Sequence, residues 1–313
     1  MPTNRLTPEQ AAQVLALAAA AIAHDGVDPL NEEARFALRD DSAEHYLHLV
    51  GELLVGYLGW HPLHHTGQLV VHPDFRRRGI ASGLVDRLAG FVRDPSSSSG
   101  SVQQSSGSVE QSSGSVGLSS GNVGLWAFGY LPAAQGFASA LHLRPIRELL
   151  IMARDLHDFV PAPAPEGLNL RGFRPTDATD VLEVNAAAFA HHPEQGSLDA
   201  AGLAARMAEP WFDPDGLILG HDADGLAGFH WTKRVNADTG EVYVMAVAPD
   251  RQGRGYGRAL LHAGLTHLRS IGIGRVLLYV DAADQVAVRM YESAGFRVTH
   301  TDLLLAPTTQ EQP

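Results

Sequence analysis

The amino-acid sequence predicts an α/β protein made of two tandem domains, each built on a mixed α+β sheet. Three observations predict this class: a length of 313 residues with 45% hydrophobic composition, an internal repeat, and a proline-rich segment between the two copies. A chain of this length is long for one average domain and can bury two separate cores. We expect an N-terminal domain over residues 1–160, a linker over 161–166 and a C-terminal domain over 167–313.

The internal repeat is a stretch that occurs at residues 71–81 and again, without gaps, at 247–257. An apolar, β-branched segment precedes each copy, and apolar residues at helical spacing follow it. These residues are Leu84, Val85, Leu88 and Val92 after the first copy, and Leu260, Leu261, Leu265 and Leu268 after the second. Spacings of three and four residues indicate one buried helix face. The repeat therefore predicts the same strand, loop and helix twice.

The other elements are predicted from their flanking residues in chain order. Pro8 begins a helix that continues through the apolar stretch 11–23. Short strands are predicted at 55–57 and 227–229 before each repeat, and at 125–128 and 276–280 after each helix. A short helix at 285–294 ends at Gly295-Phe296, and the Pro-Ala-Pro-Ala-Pro run at 161–165 predicts a stiff, extended linker.

Residues from about 96 to 122 form a low-complexity insert of four Ser/Gly-rich heptads. Such a tract cannot bury enough apolar surface to offset the entropy of ordering it. We expect a flexible loop, expanded by duplication, with no part in the fold or in function.

Composition excludes several classes of protein. The chain has no cysteine, so disulfides, a thiol nucleophile and thiolate metal sites are absent. A net charge of −12 argues against nucleic-acid binding, and no secretory leader or bilayer-spanning run is found. We expect a cytoplasmic monomer. The histidines cluster at 61, 64, 65, 191 and 192, and we interpret them as loop residues rather than ligands, so no metal is predicted.

The repeated loop has the pattern Q/R-x-x-G-x-G/A, and positive charge gathers beside it at 76–78 and 251–258. Glycines let the main chain bend so that several N–H groups meet at one point, and the following helix N-terminus adds partial positive charge. The loop therefore predicts a pyrophosphate-binding site. A dinucleotide-binding fold fits less well, because the first glycine of G-x-G-x-x-G and an acidic ribose partner are missing.

At these residues the sequence resembles the GCN5-related N-acetyltransferase superfamily, and both halves share the resemblance. It implies that acetyl-CoA is the co-substrate, that the loop holds its pyrophosphate, and that the preceding strand splays from its neighbour to face the pantetheine. The cofactor-binding residues implied in the second copy are Met245, Ala246, Val247, Gln252, Gly253, Arg254, Gly255, Tyr256, Gly257, Arg258, Asp284 and Arg289. Those implied in the first copy are Leu69, Val70, Val71, Arg77, Arg78, Gly79, Ile80, Ala81 and Ser82.

Acetyl transfer to an amine needs a base for the amine and an acid for the departing thiolate. Tyr291 matches the superfamily tyrosine near the CoA sulfur, with Asp284 in place of the usual asparagine, and we assign it as the acid. Glu241 is assigned as the base because two-residue alternation places it on one strand face with Tyr243 and Met245. A core aromatic and a solvated carboxylate are the competing interpretations of Tyr291 and Glu241.

The first copy lacks both groups. The gapless alignment places His65 opposite Glu241 and Ala138 opposite Tyr291. We therefore expect the N-terminal domain to be inactive, and to keep CoA binding or only structural support.

Segments outside the shared motif, at 185–196, 211–219, 228–233 and 240–244, resemble the actinobacterial mycothiol synthases. This resemblance implies that the acceptor is the cysteinyl amine of cysteinyl-glucosaminyl-inositol. The implied acceptor contacts are Glu32, Glu194, Lys233, Glu241 and Tyr279. The alternatives are an acetyltransferase for another small amine or a peptide N-terminus, and a non-catalytic acyl-CoA-binding module.

Overall fold

The computed structural model describes residues 2–93, 123–190 and 195–307, and it divides the chain into two compact units. Unit N comprises residues 1–148 and 301–313, and unit C comprises residues 149–300. Both units are mixed α/β, which confirms the predicted fold class. The Ser/Gly insert at 96–122 lies outside the described residues.

Unit N begins with two helices followed by an antiparallel meander. Its elements are α1 Pro8–Asp25, α2 Glu32–Ala37, β1 Glu44–Val50, β2 Leu53–His61, β3 Thr66–Val71, α3 Ile80–Arg93, β4 Gly124–Ala127 and α4 Pro132–Ala140. Strands β1, β2 and β3 are antiparallel neighbours, and β3 pairs with β4 in parallel. Residues 303–305 of β11 (Arg297–Pro307) then pair antiparallel with β4. Helix α1 begins where predicted, because Thr7 and Gln10 form a capping box, and it ends at Gly26 in the left-handed conformation.

Unit C repeats this plan in the second half of the chain. Its elements are β6 Asn169–Gly172, α5 Ala178–Ala188, α6 Ala200–Met207, β7 Leu217–Asp222, β8 Gly225–Arg234, β9 Thr239–Val247, α7 Tyr256–Ser270, β10 Arg275–Asp281 and α8 Gln285–Ser293. Strands β6 to β9 are antiparallel neighbours, and β9 pairs with β10 in parallel. The sheet is completed by residues 149–155 of β5 (Leu143–Asp155), which pair antiparallel with β10.

The division between the units falls inside β5, at 148/149, whereas the sequence placed the boundary at 161–166. Residues 161–165 carry no helix or strand, and the Ala162 amide donates to Nδ1 of His262 on α7. A strand pattern does not indicate which neighbour will pair with it, so this membership of β5 could not be predicted from the sequence.

The unit C sheet has two covered faces. We call the face packed by α7 and α8 the α7 face, and the face packed by α5 and α6 the α5 face. The predicted helix residues Leu260, Leu261, Leu265 and Leu268 are all fully buried. Three of them pack with Val276, Leu278 and Val280 of β10 on the α7 face. On the α5 face, Val181, Val184 and Leu203 pack against Phe229 and Trp231. Within the described residues, no helix is both long enough and apolar enough to span a bilayer.

Candidate active site

The strand that precedes each repeated loop separates from its parallel neighbour. In unit C, β9 pairs with β10 only as far as Val242 and Leu278, yet β9 runs on to Val247. In unit N, β3 pairs with β4 only as far as Gln68, yet β3 runs on to Val71. The splay implied by the resemblance is therefore present in both units. It leaves main-chain groups of residues 245–247 and 69–71 beside a gap, where an extended ligand can bond to them.

The loop of unit C turns at two glycines and leads directly into α7. Gly253 has φ 77° and Gly255 has φ 82°, both in the left-handed region that favours glycine. Gly255 is the N-cap of α7, and no side chain caps the helix there. The first N–H groups of the helix are therefore presented without a side-chain acceptor, which is the arrangement that binds an anion.

The loop of unit N has the same backbone with different side chains. Gly79 has φ 78°, like Gly255, whereas the position of Gly253 is taken by Arg77 with φ 59°. A non-glycine residue in this conformation is disfavoured by about 1–2 kcal/mol. Two side-chain contacts are also repeated: Arg76 and Gln252 each donate to the last carbonyl of the preceding strand.

In both loops, carboxylates pair with some of the arginines. In unit N the Arg76 guanidinium forms two hydrogen bonds with Asp25, of 2.9 and 2.5 Å. These bonds hold the pKa of Asp25 below its usual range. This carboxylate neutralises Arg76, so the exposed Arg77 and Arg78 carry the remaining positive charge of the unit N loop. In unit C, Arg251 is paired with Asp222 and Asp250, and Arg254 is half exposed with its Nη1 3.7 Å from Asp222.

A β-bulge at Tyr243 overturns the predicted alternation along β9. Trp231 pairs with Val244 and Thr232 pairs with Val242, so Tyr243 is an extra residue on β9. The prediction that Met245 shares a face with Glu241 and Tyr243 is therefore wrong. Met245 pairs with His230, whose Nδ1 is 2.9 Å from the Leu260 carbonyl on α7, so both residues point to the α7 face.

Glu241 itself lies on the α5 face. It pairs with Lys233 on one side and with Leu277 on the other, and residues paired across strands point to the same face. Tyr279 follows Leu277 by two residues and therefore shares this face, with 49% of its surface exposed. The sheet thus brings three predicted acceptor contacts, Lys233, Glu241 and Tyr279, to one face beside the gap.

An aromatic cage holds the ammonium of Lys233. Its Nζ lies 4.9 Å from the ring centre of Trp211 and 4.9 Å from that of Tyr243. The Tyr243 hydroxyl is held in turn by Nε of Arg206, at 2.8 Å. A cation between two aromatic faces is stabilised by the ring quadrupoles, by about 0.5–2 kcal/mol. Tyr243 lies two residues after Glu241 and therefore shares the face that carries Lys233.

Tyr291 approaches from the opposite face. It is buried among residues of α7 and β10, and its ring packs edge-on against Phe296. Burial, with a smaller contribution from Asp284, raises the pKa of Tyr291 above its usual value, so the phenol keeps its proton at neutral pH. Asp284 is the N-cap of α8 and accepts from the Ala287 amide at 2.9 Å. This helix-capping contact gives Asp284 a structural role in addition to the predicted contact with CoA.

Four further residues were predicted to contact a ligand. Glu32 begins α2 of unit N, and Glu194 lies outside the described residues. Arg258 and Arg289 are exposed on α7 and α8. The assignment of these four residues to a ligand stays a prediction.

The two copies differ by one residue in the strand before the loop. Unit N has no bulge between β2 and β3: Gly56 pairs with Val71, and the register continues unbroken to His61 and Thr66. In unit C, Gly228 pairs with Val247, and the residue five positions after Gly228 pairs with Glu241. In unit N, the residue five positions after Gly56 pairs with Thr66. Thr66 rather than His65 therefore takes the place of Glu241 in the sheet. His65 lies in the turn before β3, with φ 52°. Ala138 is buried on α4, so the described part of unit N lacks a counterpart of either proposed proton carrier.

Sequence reasoning did not assign Trp211, Arg206 or the cage role of Tyr243. Trp211 lies within a segment that carried the resemblance, but nothing in its spacing indicates that it meets Lys233. The contact depends on the course of the α6–β7 connection, which a local pattern does not encode.

Comparisons with known proteins agree with this architecture. A model of the acetyltransferase (GNAT) family matches residues 15–99 and 183–296. A mycothiol acetyltransferase from Propionibacterium freudenreichii subsp. shermanii is 40% identical over 98% of this chain and 91% of its own. One from Thermobispora bispora is 43% identical over 96% and 97%.

Two solved structures share the fold along almost the whole chain. A GCN5-related N-acetyltransferase from Sphaerobacter thermophilus has a TM-score of 0.65 at 24% identity, covering 96% of this chain and 93% of its own. A tandem GNAT protein from the clavulanic acid biosynthesis pathway has a TM-score of 0.66 at 18% identity, covering 97% and 96%. At these identities the likeness concerns the fold alone.

Proposed function

The chain belongs to the acetyltransferase (GNAT) family and, within it, to the mycothiol acetyltransferases, and on that premise we propose that unit C carries its reaction. The protein is an acetyl-transferring enzyme. It transfers acetyl from acetyl-CoA to the cysteinyl amine of cysteinyl-glucosaminyl-inositol, giving mycothiol and CoA. The observation that supports unit C as the active unit is the meeting of Glu241 and Lys233 on one sheet face, beside the gap between β9 and β10.

The residues around the gap fit acetyl-CoA, which supplies an activated acetyl thioester. The uncapped start of α7 and the left-handed glycines suit a pyrophosphate, while the unpaired edge of β9 suits an extended amide chain. We assign the pyrophosphate to the loop residues 252–257 and the amide chain to residues 245–247.

The two proton carriers reach the gap from opposite faces of the sheet. Glu241 on the α5 face accepts the proton of the acceptor ammonium, directly or through water, so that the neutral amine can attack. Tyr291 on the α7 face holds a proton at Oη for the leaving sulfur.

Lys233 is proposed to bind the acceptor. Its ammonium can donate to sugar or inositol hydroxyls from a position fixed by Trp211 and Tyr243. Unit N keeps the loop backbone but not the proton carriers, and we assign it no turnover. The cytoplasmic location, the monomeric state and the absence of nucleic-acid binding stay predictions.

The acceptor is tested by mass spectrometry of acetyl-CoA reactions with the cysteinyl-glucosaminyl-inositol conjugate, free cysteine, another small amine and a short peptide. We expect the conjugate to be acetylated with the highest kcat/KM. Preference for the peptide or for the other amine would support the rival acetyltransferases. Acetyl-CoA binding without acetylation of any amine would support a non-catalytic module.

Lys233→Ala should raise the KM for the conjugate with little change in kcat. Hydrogen bonds from a charged donor contribute about 1.5–3 kcal/mol, so we expect roughly a 10- to 100-fold increase. Hydroxyl binding is shared by the ground and transition states, which is why KM should carry the loss. The same variant should change little with free cysteine. Arg234→Ala, one residue along β8, is the matched control, and equal effects of both variants would contradict the role of Lys233.

A further inference from the structure

Unit N contains a group of three side chains that we call the His–Glu cluster: Glu33, His61 and His64. The Oε1 atom of Glu33 lies 3.0 Å from Nε2 of His64 and 3.7 Å from Nε2 of His61. One ligand-type atom from each residue lies within 4.8 Å of the other two. The two imidazole rings are stacked, with centres 4.2 Å apart and planes inclined by 21°.

Three separate elements supply these residues. Glu33 is in the first turn of α2, His61 ends β2, and His64 lies in the turn between β2 and β3. The three side chains are partly or fully buried: the exposed fraction is 34% for Glu33, 16% for His61 and 4% for His64. Three elements therefore fix the cluster, as a site requires if its ligands are not to reorganise on binding.

One residue of the His–Glu cluster occupies the position in unit N that corresponds to Lys233 in unit C. Gly56 and Gly228 pair with equivalent residues of the following strands. His61 lies five residues after Gly56, and Lys233 lies five residues after Gly228. His61 therefore takes the sheet position in unit N that Lys233 takes in unit C. Tyr57, four residues before His61, packs against α1, so His61 points to the side that carries α1 and α2. In unit C we propose that this position binds the acceptor. In unit N the corresponding position is lined by two imidazoles and a carboxylate.

The geometry suits a small divalent cation. Zinc bonds to histidine nitrogen and carboxylate oxygen at about 2.0–2.2 Å, which places tetrahedral ligand atoms about 3.3 Å apart. The two measured separations, 3.0 and 3.7 Å, lie on either side of this value. The separations of Glu33 Oε1 from the two histidine nitrogens are therefore compatible with ligation of one ion.

We propose that the His–Glu cluster binds one divalent transition-metal ion of the zinc class through Glu33 Oε1, His61 Nε2 and His64 Nε2. Two histidines and one carboxylate form a ligand set that such ions prefer and that calcium and magnesium do not. The proposal departs from the sequence-based interpretation of these histidines as plain loop residues. The clustered histidines are visible in the sequence, but the third ligand is not, since Glu33 lies far from them along the chain. It does not depend on the acetyl-transfer reaction.

The bound ion would fasten α2 to the β2–β3 hairpin. Glu33 is near the start of a helix of only six residues, which has little stability of its own. An ion that bonds both the helix and the hairpin should therefore stabilise the folded state in proportion to its occupancy. Glu32, the predicted acceptor contact, is the neighbouring residue and would be held with it.

The test is a titration of the chelator-treated, full-length protein with zinc, followed by calorimetry, together with thermal unfolding with and without zinc. We expect one tight site per chain and a rise in Tm on zinc addition. Glu33→Gln and His61→Asn should each weaken the tight site by more than about 100-fold, because losing even a residue that only orients a ligand costs about 10- to 100-fold. Both variants should also lose the rise in Tm.

His157→Asn is the matched control, since it removes an exposed histidine outside the cluster. It should bind zinc like the unaltered protein. The proposal is overturned by the absence of a tight site, or by a tight site that persists in both cluster variants. If one variant fails to fold, loss of zinc binding in the other, with its far-ultraviolet spectrum unchanged, decides the question.

Discussion

Glu241→Gln should lower the turnover of acetyl transfer by roughly 100- to 10,000-fold, the range that a positioned general base contributes. Glutamine keeps the shape of the side chain on the α5 face beside Lys233 and Leu277, but it cannot take a proton from the acceptor ammonium. The affinity for acetyl-CoA should change little, because the proposed CoA contacts at 245–247 are main-chain groups and do not involve the Glu241 side chain. Steady-state kinetics over a pH series measures the loss, and the acidic limb of the profile should flatten in the variant.

Glu183→Gln is the matched control. Glu183 is an exposed carboxylate on α5, so its loss should leave turnover unchanged. If Glu241→Gln retained near-native turnover across the pH series, Glu241 would be a surface carboxylate and the base would have to be sought elsewhere.

The fold was predictable because it depends on local patterns that occur twice. The spacing of Leu260, Leu261, Leu265 and Leu268 identified α7, and each of these residues is buried. Glycines at 253 and 255 identified the loop, and both adopt positive φ. These features are set within a few residues of chain, where steric and periodic rules apply directly.

The geometry of the site was less predictable, because one extra residue changes it. Alternation assumes an unbroken pleat, and the bulge at Tyr243 rotates Met245 and Val247 to the other face. The same residue invalidates the gapless comparison that set His65 against Glu241. Nothing in the local composition marks Tyr243 as bulged, since valine and tyrosine are both favoured in regular strands.

Side chains, rather than the bulge, explain why only one copy is assigned turnover. Leu69 packs with the α3 cluster of unit N, whereas Thr66 pairs with His61 on the side of α1 and α2. The strand of unit N therefore presents both faces, as the strand of unit C does. What unit N lacks is the carboxylate, since Thr66 takes its place, and a tyrosine on α4, where Ala138 is buried. Restoring a carboxylate at residue 66 would therefore not by itself recreate the site.

Tyr291→Phe should also lower turnover, again by roughly 100- to 10,000-fold, with little change in acetyl-CoA affinity. The ring and its edge-on contact with Phe296 are retained, while the proton for the leaving sulfur is lost. An ordinary thiol has a pKa of about 8.5, so the thiolate needs this proton less as the pH rises. The ratio of unaltered to variant turnover should therefore be largest at and below neutral pH, which a pH series of single-turnover rates measures.

Tyr57→Phe makes the same chemical change at a buried tyrosine of unit N, where the hydroxyl bonds to His45 at 2.8 Å. It controls for the cost of removing a buried hydroxyl, because it should alter Tm without altering turnover. If Tyr291→Phe lost Tm and kept its turnover in the same way, Tyr291 would be a core residue. A loss of turnover that is independent of pH would instead mean that Tyr291 orients the acetyl group without giving up its proton.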